Sequence, residues 1–218
     1  MPEAAVGVPP ALARRGNRVL RPRDATQVYS HPRPELARLV RRGALLRLAS
    51  GYYALTPQHR LGDVTWRPSV NAVGLGIAQA DYGADAVALM GVGAARHHGA
   101  IPRALALTVV VVPKQRPDLE TSAGRIIFVR RVVDRLDLER LQTELVTGWV
   151  TTVEQTLLDF AARPELGGLP QQAWKETVRS LWRRCDQDRL ADLAREQRRS
   201  ATLRRTAVRV GFTTAALS

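Results

Sequence analysis

Apolar positions recur with two different periods along this chain, and each change of period marks an element. Leu36, Leu39 and Val40 fall within about 100° of arc at the helical turn of about 100° per residue. Arg38, Arg41 and Arg42 occupy the opposite arc, so the spacing predicts a helix over 33–42 with one apolar and one cationic face. Pro34 suits the first helical position, where its missing N–H has no intrahelical partner. Gly43 stops the helix, and two short apolar strands then meet around Ser50-Gly51. Pro57 ends the second of them, so the hairpin closes the unit. Upstream, 9–15 and 22–29 read as shorter helices, with Gly16-Asn17 ending the first and Ser30-His31-Pro32 turning into the third. Helices followed by a hairpin are the order of a winged helix-turn-helix.

The pattern changes near 56–70, where TPQHRLGDVTWRPS is polar and carries Pro57 and Pro68. That break predicts two domains, over residues 1–58 and 65–218. In the second, 71–82 and 85–97 read as helices whose Ala and Gly content suits close packing. Residues 107–112 form a continuous β-branched run, the pattern of a buried strand, and 126–133 and 149–151 read as further strands. Thr151 or Thr152 caps the next helix, with the capping-box-like spacing Thr151-x-x-Glu154. Its core face is Val153, Leu157, Phe160 and Ala161, and helices over 170–184, 187–198 and 201–210 follow. The predicted fold class is α+β: an N-terminal winged helix-turn-helix, then a mixed α/β domain with a small sheet and a helical C-terminal end.

Charge sharpens this picture. Lys and Arg total 33 against 20 acids, for a net +13. Lys114 and Lys175 are the lysines and the rest are arginines, a preference that fits G+C-rich coding. The excess over acids is a separate matter and points to a polyanionic partner. It is also uneven: residues 1–60 hold 11 arginines and 3 acids, a net +8. Residues 179–209 form a second basic zone, with ten arginines and four acids. The single cysteine, Cys185, excludes a disulfide framework and a cysteine-based zinc site. Mean hydropathy is −0.18, and the longest apolar run is far short of a membrane span. With no secretory pattern in MPEAAVGVPPALARRG, a cytoplasmic protein without a membrane partner is expected.

These features make duplex DNA the expected partner. Arginine donates bidentately to guanine O6 and N7 in the major groove, and flanking arginines on phosphates set the register. Arg33, Arg38, Arg41 and Arg42 are the residues expected to enter or flank that groove. Arg47, Ser50 and Tyr52 would bring the hairpin tip to the backbone or minor groove. Tyr53 then alternates inward, although a bulge would exchange the two tyrosines. An RNA-binding protein using the same arginines, or a protein-interaction module that sequesters an acidic partner, are the alternatives.

Other chemistry finds less support. His97 and His98 are adjacent on a helix and point about 100° apart, so they are read as a helix-terminal pair rather than metal ligands. Pro117-Asp118-x-Glu120 lacks the acid-x-Lys that nuclease chemistry needs downstream. Gly74-x-Gly76 and Gly91-x-Gly93 are placed inside helices, which is not the setting of a phosphate loop. No nucleophile elbow is present. The chain is therefore expected to be non-enzymatic, with no catalytic residues, metal or cofactor.

The stretch Arg33 to Leu55 resembles the N-terminal winged-helix module of the AbiEi family of antitoxins. Arg42-Gly43, Leu45-Leu46-Arg47-Leu48 and Gly51-Tyr52-Tyr53 carry the resemblance. Gly93-Ala94-Ala95-Arg96-His97-His98-Gly99 is similar to a family helix ending in Ala-Ala-x-x-His-Gly, and Thr108 to Pro113 to its central strand. Val150 to Asp159 is similar to its helix signature, with Gln-Thr-Leu where Arg-Thr-Leu is usual. The resemblance implies a bacterial transcriptional repressor of a type IV toxin-antitoxin system that binds repeats at its own promoter and represses its own operon. It also implies that the C-terminal domain counters a nucleotidyltransferase-like toxin.

Overall fold

In the computed structural model, residues 7–61, 63 and 65–212 are described. The chain opens with α1 (Pro10–Ala13), β1 (Val19–Leu20), a 3-10 turn at Pro22–Ala25 and α2 (Pro32–Arg41). Strands β2 (Leu45–Ala49) and β3 (Tyr52–Leu55) complete an antiparallel sheet in the order β1-β3-β2. Helix α2 ends in a Schellman motif: the Gly43 N–H donates to the Val40 carbonyl and the Ala44 N–H to the Leu39 carbonyl, both at 3.0 Å. Gly43 takes φ +73°, a conformation that costs glycine least. Leu36 and Leu39 pack on Leu12, Leu20, Ala25, Leu45 and Leu55. The helix expected over 22–29 is a single 3-10 turn at its start, followed by a turn in which the Val28 and Tyr29 N–H groups both donate to the Ala25 carbonyl.

The small sheet buries both faces. Leu20, Leu45, Leu55 and Tyr53 face α2, whereas Val19, Leu48, Tyr52 and Ala54 join the cluster around α3 (Val70–Tyr82). Helix α3 is pressed from two sides. A Cβ on Gly74 would lie 2.6 Å from Thr108 Cγ2, and one on Gly76 would lie 2.5 Å from Val19 Cγ2. The helix has both glycines because a larger side chain would hold the layers apart.

Beyond α3 lies a six-stranded mixed sheet, larger than the three strands read from sequence. Its strands are β4 (Ala88–Met90), β5 (Leu107–Val112), β6 (Leu119–Thr121), β7 (Gly124–Arg130), β8 (Leu138–Gln142) and β9 (Thr147–Thr151). Their order is β6-β7-β5-β4-β9-β8, with β5-β7 and β4-β9 parallel and the other pairs antiparallel. Alternation along β5 explains its unbroken apolar run: Val110 and Val112 face the α3 side, Val109 and Val111 the other. That second side carries α4 (Gly91–His97), α5 (Val153–Ala162), α6 (Gln171–Trp182), α7 (Gln187–Glu196) and α8 (Ser200–Val210). Among the described residues, no helix is long and apolar enough to cross a membrane.

One local expectation is corrected and another holds in part. The segment 85–97 is strand then helix, so Gly91-x-Gly93 does sit at a strand-to-helix turn, with Gly91 at φ +54°. It is nevertheless buried, and a Cβ on Gly93 would meet Thr108 Oγ1 at 2.5 Å, so the glycines serve packing. Thr152 caps α5 by accepting the Gln155 N–H at 3.3 Å, and no capping box forms through Thr151. Glu154 instead accepts the Asp186 N–H at 2.8 Å, and Thr151 ends β9.

Candidate nucleic-acid interface

The cationic face of α2 is exposed as its spacing requires. Arg33, Arg38, Arg41 and Arg42 all point to solvent while Leu36 and Leu39 are buried. Arg38 is held by Glu35 one turn earlier, at 2.7 Å, a surface pair of small energy. The side chains of the other three make no hydrogen bond or ion pair with the described residues, and neither does that of Arg47 on β2. A guanidinium without an intramolecular partner is free to take a phosphate or a base edge at little cost.

Hairpin and helix meet at one end. Arg33, Arg47, Ser50, Gly51 and Tyr53 line a cleft of about 520 Å³ together with Arg21-Pro22-Arg23. Arg47 and Tyr53 are cross-strand partners, which places a cation beside an aromatic ring at its rim. Arg38, Arg41 and Arg42 lie outside the cleft, further along α2. At about 1.5 Å per residue, the line from Arg33 to Arg42 is about 14 Å long. The expected site residues thus form a cleft at the helix start and a row along its length.

Tyr52 does not join them. It is 8% exposed, and its hydroxyl donates to Asp81 Oδ2 on α3 at 2.7 Å. Burial and then this hydrogen bond push its pKa above the ordinary tyrosine value. The register shift between Arg47 and Ala49 is the bulge that exchanges the two tyrosines. The deeper reason is that α3 covers this face of the sheet, which makes it interior.

Arg21, Arg23, Gly51 and Tyr53 were not among the expected site residues. The repeated arginines around Pro22 were their available signal. Arg21 and Arg23 do double duty: Arg21 pairs with Asp81, and Arg23 donates to the Ala80 carbonyl at 2.6 Å. Arg116 reaches the same Asp81 at 2.6 Å, so one carboxylate on α3 gathers two guanidiniums and the Tyr52 hydroxyl. This cluster fixes the sheet of the N-terminal unit to the α/β body.

A helix packed on a three-stranded sheet, with a basic row and a cleft at the hairpin tip, is the arrangement of a winged helix-turn-helix. Residues 8–56 match a family model described as "Transcriptional regulator, AbiEi antitoxin". The likeness to the AbiEi family is shown for this N-terminal segment. The matched segment is less than a quarter of the chain, and it contains α1 through β3 and every residue of the cleft. The AbiEi-like stretches noted at 93–99, 108–113 and 150–159 lie outside it. No curated protein matches the chain.

Away from this surface, one group could hold a metal ion. Among the described residues, His97, His98 and Glu139 place ligand atoms within 4.8 Å of one another. The pair ends α4, as the sequence reading has it, with His97 the last helical residue and His98 the C-cap; the neighbour that the spacing did not reveal is Glu139.

Proposed function

We propose that this chain binds duplex DNA with α2 and the β2–β3 hairpin, represses its own operon, and acts as the antitoxin of a toxin-antitoxin pair. The observation that carries the reading is that Arg33, Arg41, Arg42 and Arg47 are exposed and without partners among the described residues, on one helix-and-hairpin surface within the AbiEi segment. In a winged helix-turn-helix the start of the recognition helix approaches the base edges. That assigns base contact first to Arg33, phosphate contact to Arg41, Arg42 and the Arg38 row, and the wing contact to Arg47, Ser50 and Tyr53. The reading head is residues 1–58. Residues 65–218 form the antitoxin domain, which counters a nucleotidyltransferase-like toxin.

The test is fluorescence anisotropy on the chain's own upstream DNA across a salt series. Each phosphate contact contributes about 0.9 to the slope of log K against log salt, so alanine at Arg41, Arg42 and Arg47 together should flatten it by about 2 to 3. Arg33→Ala should cost about 1–3 kcal/mol and relax specificity at one base pair. Full-strength binding by the triple variant would remove the assignment. Equal competition by structured RNA would move the reading to RNA. Co-expression with the nucleotidyltransferase-like product of an adjacent gene tests the antitoxin half: growth should be rescued by the full chain, and failure to rescue would leave a regulator alone.

A further inference from the structure

The C-terminal end of α4 places two imidazoles against one carboxylate. His97 is the last residue of the helix and His98 its C-cap. A Schellman motif fixes both: the Gly99 N–H donates to the Arg96 carbonyl at 3.0 Å and the Ala100 N–H to the Ala95 carbonyl at 2.8 Å. Gly99, at φ +68°, supplies the left-handed residue that the motif requires. Arg184 holds the same turn from outside, donating to the His98 carbonyl at 2.9 Å and the Gly99 carbonyl at 3.2 Å. Glu139 comes from β8, paired with Val150 on β9. Helix end and strand are therefore both rigid parts of the body.

The ring nitrogens are differentiated. His98 Nε2 lies 2.7 Å from the Thr151 carbonyl, which only accepts, so that nitrogen carries the proton and Nδ1 presents its lone pair. Nδ1 points to Glu139 Oε1 at 3.8 Å, and His97 Nε2 reaches the same oxygen at 3.7 Å. Both separations exceed a hydrogen bond. They are close to the roughly 3.4 Å between ligand atoms that sit about 2.1 Å from one tetrahedral ion. The rings are tilted 65° to each other with centroids 5.1 Å apart, so they meet edge to face and not stacked.

We propose that His97 Nε2, His98 Nδ1 and Glu139 form a three-ligand site for a divalent transition-metal ion of the zinc class. Two imidazoles and one carboxylate suit zinc, cobalt or nickel, whereas magnesium and calcium take oxygen sets. The Thr151 carbonyl is the outer partner that orients His98, the role such acceptors play around metal-bound histidines. Three protein ligands leave a position open for water. His97 and Glu139 have side chains 34% and 46% exposed, so the ion enters from solvent, while His98 at 7% forms the floor.

The experiment uses the untagged full chain, stripped with a chelator and titrated with zinc by calorimetry. One equivalent should bind, and cobalt should occupy the site with visible d–d absorption of nitrogen-oxygen coordination. His97→Ala and Glu139→Gln remove exposed ligands with little cost to folding, and each should weaken binding at least about tenfold. His98→Ala should do the same, with circular dichroism checking that α4 survives. His59→Ala, at an exposed histidine outside the cluster, should leave binding unchanged. Stoichiometric binding unaffected by His97→Ala and Glu139→Gln would overturn the site. So would displacement of zinc by equimolar magnesium, or the absence of zinc binding by the folded chain.

Discussion

Gly76→Ala separates a packing account of α3 from a propensity account, because the two predict opposite signs. In an exposed helix, glycine to alanine gains about 1 kcal/mol. Here the new methyl would lie 2.5 Å from Val19 Cγ2 and 3.4 Å from Val19 Cβ, whereas carbon atoms sit best at about 3.5–4.0 Å. Roughly 1 Å of separation must be found. Val19 is fully buried and β-branched, so it has no other rotamer to adopt freely. Nor can α3 retreat: the Asn17 side chain donates to the Gly76 carbonyl at 2.9 Å while accepting the Val19 N–H at 2.8 Å. Overpacking of this kind costs about 1–3 kcal/mol, so after the propensity gain the net effect should be a destabilisation of up to about 2 kcal/mol. Urea unfolding followed by far-UV circular dichroism measures it, with Gly16→Ala as control, since no atom lies within 4 Å of that site. The control should stay within about 0.5 kcal/mol. Stabilisation by Gly76→Ala would refute the close approach of β1 to α3.

Three further outcomes are expected. Asp81→Asn keeps the shape but removes the charge that binds Arg21, Arg116 and Tyr52; with the carboxylate 9% exposed and the arginines 32% and 20% exposed, it should cost about 2 kcal/mol in urea unfolding. Tyr52→Phe should lose about 1.5 kcal/mol of stability and leave DNA affinity unchanged, while Tyr53→Ala should weaken DNA binding, read side by side by anisotropy. Burial, followed by the nearby Glu154 charge, pushes the Cys185 thiol up to about 12. At pH 8 that leaves about a thousandfold less thiolate than an ordinary cysteine, partly offset by about 30-fold greater nucleophilicity, so alkylation of the native chain should be about 30-fold slower than that of the urea-unfolded chain.

What the sequence reveals is what local periodicity encodes. Helix α2 and its glycine stop, the β2–β3 hairpin, β5 and the three C-terminal helices all follow from spacing within a dozen residues. The misread parts depend on distant neighbours. β4 is three residues long and runs directly into α4, so Ala88-Leu89-Met90-Gly91 looks like a helix until β5 and β9 pair with it on both sides. Strict alternation puts Tyr53 inward, and only the bulge together with the cover supplied by α3 and Asp81 makes Tyr52 the interior residue. His97 and His98 end their helix as the spacing implies, but Glu139, which faces both rings, arrives from β8 and is distant in sequence. The arginine row was legible because it opposes a compact apolar stripe. The cleft was not, because its rim joins Arg21 and Arg23 to Arg47 across the sheet.

Net charge alone would give the two basic zones equal claim to a polyanion, but the structure distinguishes them by what each guanidinium already does. In the C-terminal zone, Arg179 donates to the Val210 carbonyl at 2.8 Å, Arg184 closes the end of α4, and Arg189 pairs with Asp137 at 2.6 Å. Arg195 pairs with Asp192, Arg199 lies 3.8 Å from Asp159, Arg205 reaches the Thr202 hydroxyl at 3.3 Å, and Arg209 stacks over Trp174 at 4.5 Å. Much of that charge is therefore engaged among the C-terminal helices, with Asp137 and with the end of α4, while Arg183, Arg198 and Arg204 stay exposed; moving the engaged arginines to an external phosphate would break contacts already made. In the N-terminal zone the reverse holds for Arg33, Arg41, Arg42 and Arg47, whose guanidiniums have no partner among the described residues. An arginine-to-lysine change would preserve charge in both zones. It should loosen the C-terminal helices, where bidentate and stacked geometry is used, and spare phosphate affinity at Arg41 and Arg42. On the proposed reading, the recognition chemistry falls to a minority of the arginines, all within the segment that carries the family match.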